Sequence, residues 1–261
     1  MLQSATQGHR EIKMDVATDI EKYRLETLFS KEPETISWIK ELMRPRDVFY
    51  DVGANVGVFS LFAALFHSPI RICAFEPAYH NFSKLCINIR ANNCQNVITP
   101  YCLGLAKSSH CGILNLSDAS SGSAGHRIDS VRYQSGIGSE NRQSGKSFQP
   151  ILRQGIFAVT LDDLVQKYGL PSPHHIKIDT DGDEADVLKG GTKVLRKTVQ
   201  SVLVEIDDKK GLAEIAIRSF MNRRGFNAEH SINSQVNHSR VRRAKEGKAH
   251  KDNFHHSIKV L

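Results

Sequence analysis

The stretch VFYDVGANVG, Val48 to Gly57, decides how this chain is read. Its first residues are apolar without strict alternation, as in a strand buried on both faces. Asp51 interrupts the run, and Gly53 and Gly57 follow with Ala54 and Asn55 between them. Glycines at such a point let the backbone bend sharply and approach a ligand closely. GVFSLFAALF (57–66) then continues as an apolar helix, whose N-terminus would offer N–H groups to an anion. Strand, glycine turn and helix form the opening unit of a parallel sheet, where ligands gather at the carboxyl ends of the strands.

Working outward, the same rhythm repeats. RICAFEP (71–77) reads as a second strand closed by Pro77. AYHNFSKLCINIRANN (78–93) reads as a helix with Phe82, Leu85, Ile87 and Ile89 mainly inward, and VITPYCLGL (97–105) as a third strand. This alternation predicts an α/β, doubly wound, Rossmann-like architecture with right-handed crossovers. CGILNLS (111–117) suggests an extra strand. Residues 118–154 are rich in Ser, Gly, Gln and Arg without a period, and are expected to be a long polar insertion. Such a loop is either a wall of the substrate site or an insertion without function. FAVTLDDLVQKYG (157–169) runs from strand to helix with Thr160 as N-cap. HHIKIDTDGDEADVLKGG (174–191) is a strand, an acidic turn and a helix; SVLVEID (201–207) is another buried strand. AEIAIRSFMNRRG (213–225) is a helix ended by glycine, and FNAEHSI and NFHHSIKVL are expected to close the fold as an antiparallel hairpin. Upstream, residues 1–20 look loosely specified. DIEKYRLETLFS and PETISWIKELM show helical spacing, so residues 1–46 are expected to be an N-terminal helical cap ahead of a domain spanning 47–261.

Composition narrows the class. The 261 residues suit one α/β domain with additions, and none of the five cysteines forms a C-x-x-C pair, which argues against a zinc ribbon or a disulfide framework. The N-terminus MLQSATQGHREIKMD lacks an apolar stretch of signal length and VGVFSLFAALF is too short to span a bilayer, so a cytoplasmic protein without a membrane span is expected. The formal charge of +7 is uneven: residues 239–251 hold Arg240, Arg242, Arg243, Lys245, Lys248 and Lys251 against Glu246. That block is either a solvated loop or an attractor of phosphate or acidic partners. Without interleaved aromatics it is not a stacking platform for single strands.

The chemistry starts from two acids at consecutive strand tips, Asp51 and Glu76. A carboxylate at the second tip accepts hydrogen bonds from the vicinal hydroxyls of a ribose. The glycine spacing is G-x-x-x-G, not the dinucleotide pattern. Asp51 would repel a pyrophosphate and welcome an ammonium group. A nucleoside joined to an amino acid satisfies both, and S-adenosyl-L-methionine is that molecule.

FYDVGANVGVFSLFAA, AFEPAYHNFSKLCINIRANN, TLDDL and IKIDTDGDEADVLKGG with LVEID resemble the FkbM family of S-adenosylmethionine-dependent methyltransferases, over about Val48 to Asp207. The resemblance implies a class I methyltransferase fold, with a mostly parallel seven-stranded sheet whose last strand is antiparallel. It implies methyl transfer to a hydroxyl of a sugar, a glycan or a small metabolite. By the family pattern Asp51, Gly53, Asn55 and Gly57 shape the methionine pocket, and Glu76, with Pro77 beside it, holds the ribose. The long 118–154 segment and the basic block depart from the usual pattern, which leaves the acceptor open.

The second acidic turn, KIDTDGDE, follows a strand whose tip borders the transferring methyl in this fold. Asp179 is the candidate base or acceptor-orienting group, with Glu184 close by on the first turn of the next helix. The competing reading pairs Lys177 with Asp179 as an internal ion pair and leaves Glu184 to favour the helix N-terminus. No metal site is expected, although an alternative has a divalent metal shared by Asp179 with Glu205 or Asp207. His174, His175, His255 and His256 carry no spacing that singles one out. Two other functions stay open: an RNA or protein methyltransferase using residues 239–251, and a non-enzymatic member that keeps the fold for binding.

Overall fold

The computed structural model describes residues 1–130, 147–206, 212–233, 236–243 and 257–260; for 212 and from 227 onward only the backbone is described. The chain opens with β1 (Leu2–Gln7) and β2 (Arg10–Asp15), paired antiparallel. The loosely specified start is thus a hairpin, and the helical part begins only at Asp19. Its cause is visible in REIKMDV: Ile12, Met14 and Val16 alternate, and all three are buried. α1 (Asp19–Glu26) and α2 (Pro33–Leu42) follow. Thr18 caps α1 through a capping box with Glu21.

Next come β3 (Val48–Val52), α3 (Val58–Phe66), β4 (Arg71–Phe75), α4 (Tyr79–Ala91) and β5 (Ile98–Tyr101). A second, smaller sheet contains β6 (Gly104–Leu105), β7 (His110–Leu116), β8 (Arg127–Ile128) and β9 (Leu152–Val159). The expected loop 118–154 therefore contributes β8 and the start of β9, and its residues 131–146 lie outside the described residues. α5 (Leu161–Gln166), β10 (His175–Ile178), α6 (Glu184–Lys189), α7 (Thr192–Lys197), β11 (Ser201–Val204) and α8 (Leu212–Asn222) complete the crossovers. Thr160 Oγ1 accepts from Asp163 N at 2.9 Å, as its N-cap position requires. β12 (Phe226–Asn233), β13 (Val236–Arg243) and β14 (Ser257–Val260) close the chain.

The main sheet has the order β12-β13-β14-β11-β10-β3-β4-β5 among the described residues. β14 lies parallel to β11 and antiparallel to β13. The sheet is mostly parallel as expected, with eight strands rather than seven, and β13 rather than the last strand is the antiparallel one. β12 and β14 run parallel, so they are not the two arms of one hairpin. The chain moves outward from β3 to β5 on one side and from β10 to β11 on the other, and then returns from the edge strand β12 through β13 to β14 beside β11. The switch point, where ligands bind in such sheets, lies between β3 and β10.

Alternation along the strands sorts the interior. Tyr50, Val52, Ile176, Ile178, Val202 and Val204 face the layer of α5 to α8. Phe49 and Leu203 face the other layer, built from β2 and α1 to α4. Asp51 and Lys177 are paired in register and share that second face, so two charged groups sit where apolar ones would be expected. α4 also departs from expectation: His80, Asn81, Leu85, Asn88 and Ile89 are its buried positions, and Ile87 is exposed. Asn88 Oδ1 accepts from Asp15 N at 2.8 Å and Asn92 Oδ1 from Lys13 N at 2.9 Å, which docks the hairpin on α4.

Candidate active site

At the switch point Gly53, Asn55, Glu76, Pro77 and Asp179 line one open cavity of about 680 Å³, counted out through its mouth. Asp51, Gly57 and Glu184 do not line it. Gly53 has φ +78°, and a Cβ there would overlap the carbonyl oxygen of Asp179, so the two turns touch backbone to backbone. Gly57, at φ +92°, precedes α3 and packs under Leu85. Asn55 donates from Nδ2 to Ser123 O at 2.8 Å.

Glu76 is buried at the tip of β4. Asn55 N donates to its Oε2 at 2.8 Å and Ala78 N to its Oε1 at 2.9 Å. Burial outweighs these bonds and pushes its carboxyl up to about 7. Beside it, Phe75, Pro77, Leu103, Leu105, Leu114 and Ile128 make an apolar wall. A carboxylate with spare lone pairs next to an apolar slot fits the sugar and base of a nucleoside.

Asp51 is only 1% exposed and stands behind the turn. Ser60 Oγ donates to its Oδ2 at 2.6 Å, while Oδ1 has no partner among the described residues. Burial raises its pKa, against the pull of Lys177. Lys177 is equally buried; it donates to Asp179 Oδ2 at 3.0 Å and lies 4.9 Å from the centre of the Phe59 ring. The ion pair read from the sequence is therefore present, and Asp179 faces the cavity as well. Burial alone would raise Asp179, but the Lys177 ammonium holds it below the usual carboxylate range. Glu205, one strand over, is hydrogen-bonded to Asp179 and is pushed well up by burial and by the charge on Asp179. Of the two carboxyls, Glu205 is thus the one more readily protonated. Lys31, before α2, also lies within electrostatic reach of both acids.

Glu184 Oε1 accepts from Thr180 N (3.1 Å), Thr180 Oγ1 (3.1 Å) and Gly182 N (2.7 Å). Its carboxyl is thereby committed to the shape of the acidic turn. His174 and His175 lie at the opposite end of the sheet. His175 bridges Ser201 and Asp47, and His174 Nδ1 accepts from Val48 N. His255, His256 and Asp207 lie outside the described residues. Among the described residues no three His, Cys, Asp or Glu side chains gather as a metal site.

Residues 117–126 fold over the cavity. Ser123 O accepts from both Asn55 Nδ2 and Asn81 Nδ2, and Gly122 N donates to Asn81 Oδ1 at 2.8 Å. Ser121 Oγ donates to Glu21, Gly125 N to Asp181, and Arg127 to Asp181 O and Asp183 Oδ1. The start of the polar segment is thus a pinned wall. The sequence reading missed Arg24, Asn81, Ser123, Asp181 and Asp183. Asn81, Leu85 and Asn88 at helical spacing were the available signal for a polar inward face.

The sequence model of the methyltransferase FkbM domain matches residues 51–228. The chain belongs to the FkbM methyltransferase family. It is accordingly an S-adenosylmethionine-dependent methyltransferase. It is 29% identical over 182 residues to the 31-O-demethyl-FK506 methyltransferase FkbM of Streptomyces tacrolimicus, covering 65% of this chain and 68% of that one. It is 27% identical over 176 residues to the hexuronic acid methyltransferase AglP of Haloferax volcanii, covering 67% of this chain and 62% of that relative. A solved FkbM methyltransferase from Methylobacillus flagellatus aligns with TM-score 0.47 and 14% identity over 84% of this chain and 53% of its own. The hairpin, α1 and α2 precede the FkbM match. No helix among the described residues is long and apolar enough to cross a membrane.

Proposed function

We propose that this FkbM-family chain methylates a hydroxyl on a sugar, a glycan or a small metabolite. The observation that carries this reading is one cavity bounded by Glu76 at the tip of β4 and by Asp179 at the tip of β10. Glu76 would hold the ribose hydroxyls of S-adenosylmethionine, with the base against the wall of Pro77, Leu103 and Leu105. Gly53 and Asn55 would shape the passage to its amino-acid end, and Gly57 would set the turn beneath them. Bound there, the cofactor supplies an electrophilic methyl group.

The remaining work belongs to the chain's own residues. Asp179 accepts a hydrogen bond from the acceptor hydroxyl, fixes the oxygen in line, and takes its proton. Lys177 keeps Asp179 ionised, and the neighbouring Glu205 steadies it. Asp51, through Ser60, holds the first turn of α3 against β3. Glu184 fixes the turn that aims Asp179. The names of the two curated relatives, acting on an oxygen of a natural product and on a hexuronic acid, support a hydroxyl-bearing acceptor.

No described side chain favours RNA or protein as the acceptor. Ser239–Arg243 belong to β13, paired on both sides, and 244–251 lie outside the described residues. Incubation with a labelled methyl donor and a glycan and metabolite extract is expected to yield a labelled O-methyl product by mass spectrometry. Label entering only RNA or protein would overturn the reading.

A further inference from the structure

The amides of the glycine turn itself, from Gly53 to Gly57, are all engaged within the fold. Gly53 N and Ala54 N both donate to Phe75 O at 3.0 Å. Asn55 N donates to Glu76 at 2.8 Å, Val56 N to Asn55 Oδ1 at 3.0 Å, and Gly57 N to Ala54 O at 2.8 Å. A ligand carboxylate cannot take these amides without breaking the turn that shapes the site. Yet the amino-acid end of the cofactor carries a carboxylate as well as an ammonium group.

The side chains lining the cavity include Glu76, Asp179, Asp181 and Asp183, which suit the ammonium and repel the carboxylate. Among the described residues, Arg24 on α1 is the guanidinium or lysine ammonium lining that cavity. Its Nε donates to Gly122 O at 2.7 Å. Its two terminal nitrogens make no other hydrogen bond among the described residues. Gly122 is itself held by Asn81, so the guanidinium is fixed in plane before any ligand arrives. Arg24 also lies within electrostatic reach of Glu76 and of Lys31. A fixed fork with free terminal donors is the arrangement that grips a carboxylate through two parallel bonds.

We propose that Arg24, from a helix outside the FkbM match, binds the carboxylate of the cofactor's amino-acid end. This rests on the cofactor placement above and adds a ligand that 51–228 does not contain. It also gives the N-terminal segment a direct part in binding: α1 closes the cavity with a charge.

The test is calorimetric binding of two probes to the full chain. S-adenosylhomocysteine carries the amino-acid end; 5′-methylthioadenosine lacks it. Arg24→Met is expected to weaken S-adenosylhomocysteine about 10- to 100-fold, the range of a charge-assisted hydrogen bond. Affinity for 5′-methylthioadenosine is expected to stay within about threefold, since that probe has no group for Arg24 to hold. Arg24→Lys, which keeps the charge and loses the fork, is expected to fall between. Equal loss for both probes would make Arg24 a mere wall and overturn the proposal. So would unchanged S-adenosylhomocysteine affinity, which would leave Arg24 for an anionic acceptor. If the wild-type chain binds neither probe, the cofactor placement itself fails, and this inference with it.

Discussion

Asp179→Asn is expected to lower kcat by about 10²- to 10⁴-fold, the usual worth of a positioned proton acceptor. Asparagine keeps the shape and one acceptor oxygen, so Lys177 retains a partner, but the charge is gone. Asp179 lines the cavity and is held ionised by Lys177, whose Nζ is 3.0 Å from Oδ2. An ionised carboxylate at that tip both orients an acceptor hydroxyl and receives its proton. In the proposed placement the nucleoside contacts lie at Glu76, across the cavity, so affinity for S-adenosylhomocysteine is expected to change only a few-fold. Steady-state kinetics with an acceptor found by the labelled-methyl screen, beside calorimetry of the same variant, separates the two effects. A variant with normal kcat would leave Asp179 as half of an internal ion pair and nothing more.

Lys177→Met is expected to destabilise the fold by about 3–5 kcal/mol at neutral pH, the cost of orphaning buried charges. The ammonium is 1% exposed and lies among Asp51, Asp179, Glu205 and Glu32. Burial disfavours its charged form, yet these acids raise its pKa above that of a free lysine. Methionine fills the same space and removes the compensation. Without Lys177, the folded-state pKa of Asp51, already raised, rises further, and that of Asp179 rises above its unfolded value. The folded variant then binds more protons than the unfolded chain, so its deficit grows as pH rises and shrinks toward pH 5. Urea unfolding of both proteins at several pH values measures this. A loss below about 1 kcal/mol that ignores pH would show that the pair is not an electrostatic keystone of this face.

These two expectations rest on residues the sequence displayed in different ways. The buried strands, the glycine turn and the acids at two strand tips were legible because apolar runs and glycines encode them locally. Thr160 and its helix were legible for the same reason. The direction in which Asp51 points was not. Its burial behind the turn follows from register with Lys177 and from Ser60, nine positions along in α3. The hairpin at the start was present as Ile12, Met14 and Val16 in alternation, but two short amphipathic strands among polar residues give a weak local signal. The wall formed by residues 117–126 was not visible. Serines and glycines look like a loose linker until Asn55, Asn81 and Glu21 supply partners from distant elements. Arg24 was hidden for the same reason, since its value depends on Gly122 and on the loss of free amides at the glycine turn.

The central claim is that Glu76 grips the ribose of S-adenosylmethionine. Calorimetric titration of S-adenosylhomocysteine into wild type and Glu76→Gln, from pH 5.5 to 8.5, tests it most directly. Hydroxyl donors prefer the ionised carboxylate, and burial puts that ionisation at about 7. Wild-type affinity should therefore rise with pH, by up to about tenfold per unit below that value, and level off above it. Glu76→Gln should bind about 10- to 100-fold more weakly at pH 8 and lose this pH dependence. Equal affinity of the two proteins across the range would contradict the account.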